Sequence, residues 1–245
     1  MEPVTLEAKD LAVGVEKFRV SGISFSLCGG DILGLVGRSG EGKSILIKTL
    51  TGLRRPLSGK ITVKSGDSET GMAEIAGYSP QDNALFPFLT VEENIATFAE
   101  LHGVKRKELE EKTSSLLKRL GLEKSRKKRI IELSGGMRKR ADLAAALIQD
   151  PSVIILDEPF NGLDVSVQQF VWELLADLAR EDRIIIISSH ILGDMQKRCT
   201  KFGLVLEGKY YGTERILEAI REKKAKNLEG LLNSLFSGRL AMEEK

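Results

Sequence analysis

Cysteine and histidine are nearly missing from this 245-residue chain, with two of each. Cys28 and Cys199 stand far apart and neither belongs to a C-x-x-C pair, so no disulfide framework or zinc site follows. Aromatic residues are only 5% against 42% hydrophobic, so the core has to be aliphatic. No apolar run approaches about 18 residues, and Met1–Glu7 has neither a basic n-region nor an apolar stretch. The expectation is a cytosolic chain that does not itself span a membrane. An excess of one charge sign is absent too. With 37 Lys and Arg against 35 Asp and Glu the net charge is +2, which gives no reason to expect a nucleic-acid partner. Internal repeats and long low-complexity linkers are also lacking, and the length fits one or two domains.

What is present begins with Gly37-Arg38-Ser39-Gly40-Glu41-Gly42-Lys43-Ser44. Asp31–Val36 reads as a buried strand entering this loop and Ser44–Leu50 as a helix leaving it, with Ile45 in its first turn. Such a run is built for polyphosphate. Its glycines let the backbone N–H groups curl inward onto phosphate oxygens, Lys43 brings a point charge to the β and γ phosphates, and Ser44 offers a hydroxyl to Mg²⁺. The helix aims its positive end at the same anion. The loop alone does not separate kinases, GTPases, helicases and transport ATPases, but the chain has no Asn-Lys-x-Asp guanine motif, which disfavours a GTPase.

The second informative string is Val153-Ile-Ile-Leu156-Asp157-Glu158-Pro159. Four consecutive apolar residues mark a strand buried on both faces of a parallel sheet, and two carboxylates follow at its C-terminal edge. Adjacent side chains there point different ways. Asp157 can take a Mg²⁺ water while Glu158 faces the γ-phosphate as base for the attacking water. Ile184–Ile187 reads as another buried strand, and His190 follows it at the edge where open α/β sheets carry their ligands.

With these motifs in hand the chain resembles the ATP-binding subunit of ABC transporters, from about Leu6 to about Tyr211. Leu133-Ser134-Gly135-Gly136-Met137 is similar to that family's signature, Gln81 to its Q-loop, Asn161-Gly-Leu-Asp164 to its D-loop and His190 to its switch histidine. The resemblance implies an α/β P-loop NTPase with a RecA-like parallel-sheet core, an antiparallel β-subdomain and an inserted α-helical subdomain. It implies one ABC ATPase domain over 1–245, with its core at about 1–83 and 148–215, the helical insert at about 84–147 and a tail at about 216–245. It implies Mg²⁺ and ATP, with Gln81 and His190 sensing the γ-phosphate and metal. It further implies a head-to-tail dimer, with itself or a paralogous subunit, in which Ser134, Gly135 and Gly136 reach ATP held by the partner. A separate transmembrane permease would be driven, with the chain peripheral on the inner face of the cell membrane. Met137 stands where transporter signatures most often have Gln, and Asn161 replaces a common Ser.

Several features leave two readings open. Phe18 roughly matches the spacing of an aromatic residue that stacks on adenine in the family, or it is ordinary core. Lys105–Lys107 and Lys124–Arg129 are basic clusters that form a solvated face or lie near anionic lipid. The apolar loop Leu85–Leu89 is core, or the surface that receives a coupling helix. His102 has no partner motif and reads as structural. Leu228–Phe236, apolar at helical spacing, packs on the core or on a dimer mate. The signature region Ser134–Arg140 and the switch region Ser188–Leu192 resemble those of drug and lipid exporters, which favours export. A single-cassette ATPase outside transport, as in iron–sulfur assembly, is the alternative reading.

Overall fold

A computed structural model describes residues 3–16, 18–190, 192–238 and 240–242. Ile191, inside the expected switch region, lies outside the described residues, as do Met1, Glu2 and 243–245. Among the described residues ten strands form one sheet. In chain order they are β1 (Val4–Val15), β2 (Phe18–Cys28), β3 (Ile32–Val36), β4 (Ser58–Ser65), β5 (Ser68–Glu69), β6 (Ala76–Ser79), β7 (Val153–Asp157), β8 (Ile184–Ser188), β9 (Lys201–Leu206) and β10 (Lys209–Gly212). Their spatial order is β5-β4-β1-β2-β10-β9-β3-β8-β7-β6.

Two kinds of strand make the sheet. β3, β7 and β8 bury all five of their residues, as apolar runs covered by helices on both faces must, and they pair in parallel with each other, with β6 and with β9. β1 instead alternates buried Val4, Leu6 and Ala8 with exposed Thr5 and Glu7 and pairs antiparallel with β2 and β4, the pattern of a sheet with one wet face. The two parts meet where β2 lies beside β10, with Ser21 N donating to Gly208 O at 3.0 Å.

The helices are α1 (Lys43–Leu50), α2 (Met72–Ile75), α3 (Val91–Leu101), α4 (Arg106–Arg119), α5 (Gly135–Leu147), α6 (Val165–Arg180), α7 (Leu192–Arg198), α8 (Thr213–Glu222) and α9 (Leu228–Phe236). Thr90 starts α3 with a capping box: Glu93 N donates to its Oγ1 at 3.3 Å and Thr90 N donates to Glu93 Oε2 at 2.7 Å. Asn94, on the first turn, folds the preceding loop around itself by accepting from Phe86 N at 2.7 Å and donating to Phe86 O at 3.1 Å. That loop splits the two readings: Leu85 is buried, but Phe86 and Phe88 are 47% and 71% exposed.

The basic string after α4 is partly structural. Arg126 donates to Glu92 at 2.5 Å and to both oxygens of Glu110, at 2.8 and 2.6 Å, while Lys127 pairs with Glu92. The ion pairs thus fasten α3 to α4. In the tail, α9 turns Leu228, Leu231, Leu232 and Leu235 into this chain's own core, and the guanidinium of Arg38 lies 5.2 Å over the Phe236 ring. On α6, Trp172 stacks on Phe160, with ring centroids 4.7 Å apart and planes inclined by 25°.

Candidate functional site

β3, β8 and β7 run side by side and in parallel, so their C-terminal ends share one edge of the sheet. β3 feeds the glycine loop. Gly42 sits there at φ 101°, and a Cβ on it would lie 2.6 Å from Phe18 Cε1 and 2.8 Å from Val20 Cγ2. Only glycine has both the backbone freedom and the lack of bulk for that position. Lys43, 6% exposed, folds back over the loop and donates to Gly37 O at 2.7 Å and Arg38 O at 3.0 Å.

Glu158 completes the centre. Its Oε1 lies 3.6 Å from Lys43 Nζ and its Oε2 lies 2.9 Å from His190 Nδ1, so one carboxylate joins the loop lysine to the imidazole. The Glu158 backbone is left-handed at φ 47°, an arrangement that costs a non-glycine residue about 1–3 kcal/mol. That turn sends Glu158 away from its neighbour: Asp157 is 2% exposed whereas Glu158 faces the cleft. Ser188 steadies both. The β7–β8 register places it opposite Asp157, where its Oγ donates to Asp157 Oδ1 at 2.6 Å and accepts from Glu158 N at 2.9 Å. Nearby, the Tyr78 hydroxyl is buried without a partner among the described residues. Burial, then the charges of Asp157 and Asp142, push its pKa up to about 12.

A cleft of about 500 Å³ opens over these groups, lined by Ser39, Gly40, Gly42, Lys43, Ser44, Ile45, Gln81, Glu158, Asn161 and His190. Asp157 lies behind its wall. Phe18 does not line it; the half-buried ring packs on Gly42 and the core beneath. Ser134 and Gly135 are exposed at the start of α5, where Ser134 Oγ accepts from Met137 N at 3.3 Å, and Gly136 is close-packed on Val167. These three residues are absent from the main cleft, although Gly135 lines a neighbouring hollow of about 150 Å³ with Gln81, Glu158 and Asn161. A larger hollow of about 810 Å³, between the β1–β2 hairpin, β9 and α8, holds none of the expected site residues.

The residues fit a polyphosphate: Ser39, Gly40 and Gly42 of the glycine-rich loop, Lys43 and the N-terminus of α1 share one cleft. A metal would need more than the protein. Among the described residues no group of three or more His, Cys, Asp or Glu can hold an ion, so phosphate oxygens would have to complete a shell begun by Ser44 and Asp157, the usual way Mg²⁺ is bound. Ser188 is the residue that sequence reasoning passed over. Its signal was its place directly after the apolar run Ile184–Ile187, level with Asp157 across the sheet.

Comparison with known proteins agrees with this geometry. The family model described as ABC transporter matches residues 20–161. The chain is 37% identical over 197 residues to the Nod factor export ATP-binding protein I of Rhizobium etli, covering 79% of this chain and 62% of that one. It is 31% identical over 195 residues to the human glucosylceramide transporter ABCA12, covering 78% of this chain and 8% of that one. Among solved structures, an ATP binding subunit of an ABC transporter superposes with a TM-score of 0.81 at 26% identity, covering 94% of this chain and 99% of that one. The cbiO1 protein from Clostridium perfringens, part of the ABC transporter complex cbiONQ, gives 0.74 at 27% identity, covering 89% and 92%. The chain spans less than two thirds of the length of the first curated relatives, 62% and 65% for two Nod factor export proteins. With the glycine loop, the paired carboxylates and the whole fold in agreement, the chain belongs to the ABC transporter family.

Proposed function

We propose that this chain is the Mg²⁺-dependent ATP-hydrolysing subunit of an exporting ABC transporter, made of one ATPase domain. The observation that carries the reading is the carboxylate of Glu158, held between Lys43 and His190 at the mouth of the glycine loop. The backbone of 37–43 and Lys43 hold the phosphates, and Ser44, Asp157 and Gln81 hold the metal. A Mg²⁺ ion held there would supply positive charge against the phosphoryl oxygens. Glu158 takes the proton of the attacking water, and His190 keeps that carboxylate oriented.

Two subunits close head to tail around ATP, each offering Ser134, Gly135 and Gly136 to the nucleotide of the other; the exposure of Ser134 and Gly135 at the start of α5 supports this role. Among the described residues no helix is long and apolar enough to cross a membrane, so the reading pairs the chain with a permease subunit at the cytoplasmic face. Phe86 and Phe88, exposed on a loop shaped by Asn94, suit that contact. Relatives named for Nod factor export and glucosylceramide transport favour an exporter over a soluble ATPase.

The test isolates defined heterodimers with two different affinity tags, one on each chain. In the heterodimer of a Lys43→Ala chain and a Ser134→Arg chain, head-to-tail closure puts both defects in one composite site and leaves the other intact, so it binds about half the ATP of the wild-type dimer. In the heterodimer of wild type and a chain carrying both substitutions, each site is damaged once and no intact site remains. Equal binding by the two isolated heterodimers, or the reverse order, would overturn the shared-site arrangement.

A further inference from the structure

Behind the cleft, between the strand that leads to Gln81 and the helix that starts after Ser134, lies a closed ring of polar side chains. Ser79 ends β6, two residues before Gln81, and Lys139 and Asp142 lie on α5. All three are buried, at 0%, 9% and 2% exposure. Lys139 Nζ donates to Ser79 Oγ at 2.6 Å and to Asp142 Oδ2 at 3.2 Å, and Ser79 Oγ donates to that same Oδ2 at 2.5 Å. The other oxygen, Asp142 Oδ1, accepts from the backbone N of Ala84 at 3.2 Å. One carboxylate therefore grips both ends of the loop 80–83, the loop that carries Gln81.

Burying an ion pair seldom stabilises a fold more than apolar side chains of the same size would. A fully satisfied buried network does fix geometry. What this ring fixes is the distance between the Gln81 loop and the helix that begins with Gly135 and Gly136. We propose that Asp142 is a positioning residue that ties the Gln81 loop to α5, with Lys139 as its counter-ion, so that a shift of the α5 N-terminus carries Gln81 with it. The inference rests on the ATPase reading for its catalytic consequence and on geometry alone for the tether.

Both parts are tested on the full-length chain. Asp142→Asn keeps the shape but has one acceptor oxygen and no charge, so either Lys139 Nζ meets an amide donor in place of its counter-ion or Ala84 N loses its acceptor. Hydrogen–deuterium exchange of a peptide covering 81–86 is expected to quicken, while a peptide covering β8 stays as it was. ATP turnover is expected to fall about 10- to 100-fold, the scale of a misplaced group, with KM for ATP little changed. Combined with Gln81→Ala, the second substitution should cost nothing further, because both act through one side chain.

A double variant slower than Gln81→Ala by the full Asp142→Asn factor would show a merely structural effect and overturn the positioning role. Unchanged exchange over 81–86 would overturn the tether. If Asp142→Asn does not fold, Ser79→Ala, which leaves the Lys139–Asp142 pair, must show the same pattern; wild-type exchange and turnover in that variant sink the proposal. A wild-type chain that hydrolyses no ATP would instead refute the ATPase reading, and the exchange data would still decide the tether.

Discussion

Replacing Glu158 by Gln changes charge and little else, and the structure assigns it two separable effects. The first is on the resting protein. Charges 3.6 Å apart attract by about 5 kcal/mol at an effective dielectric of about 20. Both groups lost water to reach that distance, which cancels much of the attraction. Lys43 also keeps Gly37 O and Arg38 O as partners, so it is not stranded. The remaining cost is on the order of 2 kcal/mol, and for a chain of this size it lowers the melting temperature by about 4–8 °C. The second effect is on turnover. Loss of a general base slows hydrolysis about 10²–10⁴-fold, equivalent to about 3–5 kcal/mol of barrier. ATP should reverse the first effect but not the second, because phosphate takes over as the counter-charge of Lys43. Melting with and without Mg-ATP and phosphate release on the same variant read the two apart. Turnover at the wild-type rate would remove Glu158 from the base role, and an unchanged melt without nucleotide would show that the Lys43 contact contributes nothing.

Phe18→Ala should weaken ATP more than tripolyphosphate if the ring supports the base, with base stacking worth about 1–3 kcal/mol; equal losses in a binding titration would identify Phe18 as packing for Gly42 alone. Phe86→Asp and Phe88→Asp should leave the melt and basal ATPase nearly unchanged yet abolish co-purification with a membrane subunit, and retained co-purification would refute the docking role. Glu110 is held down at about 2, against an ordinary 4.5, chiefly by its hydrogen bonds from Arg126. A depressed carboxylate lends stability above its unfolded pKa and loses it as the pH falls toward the folded one. Glu110→Gln should therefore melt below wild type at pH 7 and converge with it near pH 2; a gap that persists at pH 2 would refute the ion-pair explanation.

Much of the central sheet was legible because burial on both faces forces runs such as Ile184–Ile187 to be apolar throughout. The start of α3 has a local cause too, since Thr90 and Glu93 form their capping box within four residues. The contact of Lys43 with Glu158 has no such local trace. It depends on β3 and β7 being separated by β8 alone, a consequence of strand order that no window of sequence contains. The same holds for Arg126, whose charge read as part of a basic cluster and whose partners Glu92 and Glu110 come from two helices. The tail was ambiguous because an apolar stripe reports that a helix face is covered and not by what; Leu231 and Leu232 turn out to be covered by their own chain. Ser79, Lys139 and Asp142 were silent for a related reason, since polar residues on a helix ordinarily read as its wet side.

Trp172 is the sole tryptophan of the chain, and its ring lies on Phe160, two residues beyond Glu158. Its indole also has the Arg198 guanidinium 5.7 Å from a ring centroid, and α7, which carries Arg198, follows closely after His190. One chromophore thus sits against segments leading from both groups that flank the cleft. Its emission gives an intrinsic optical signal, free of any dye, for rearrangement of the segments behind Glu158 and His190. Stopped-flow fluorescence on unlabelled protein could then time such a rearrangement against the release of phosphate.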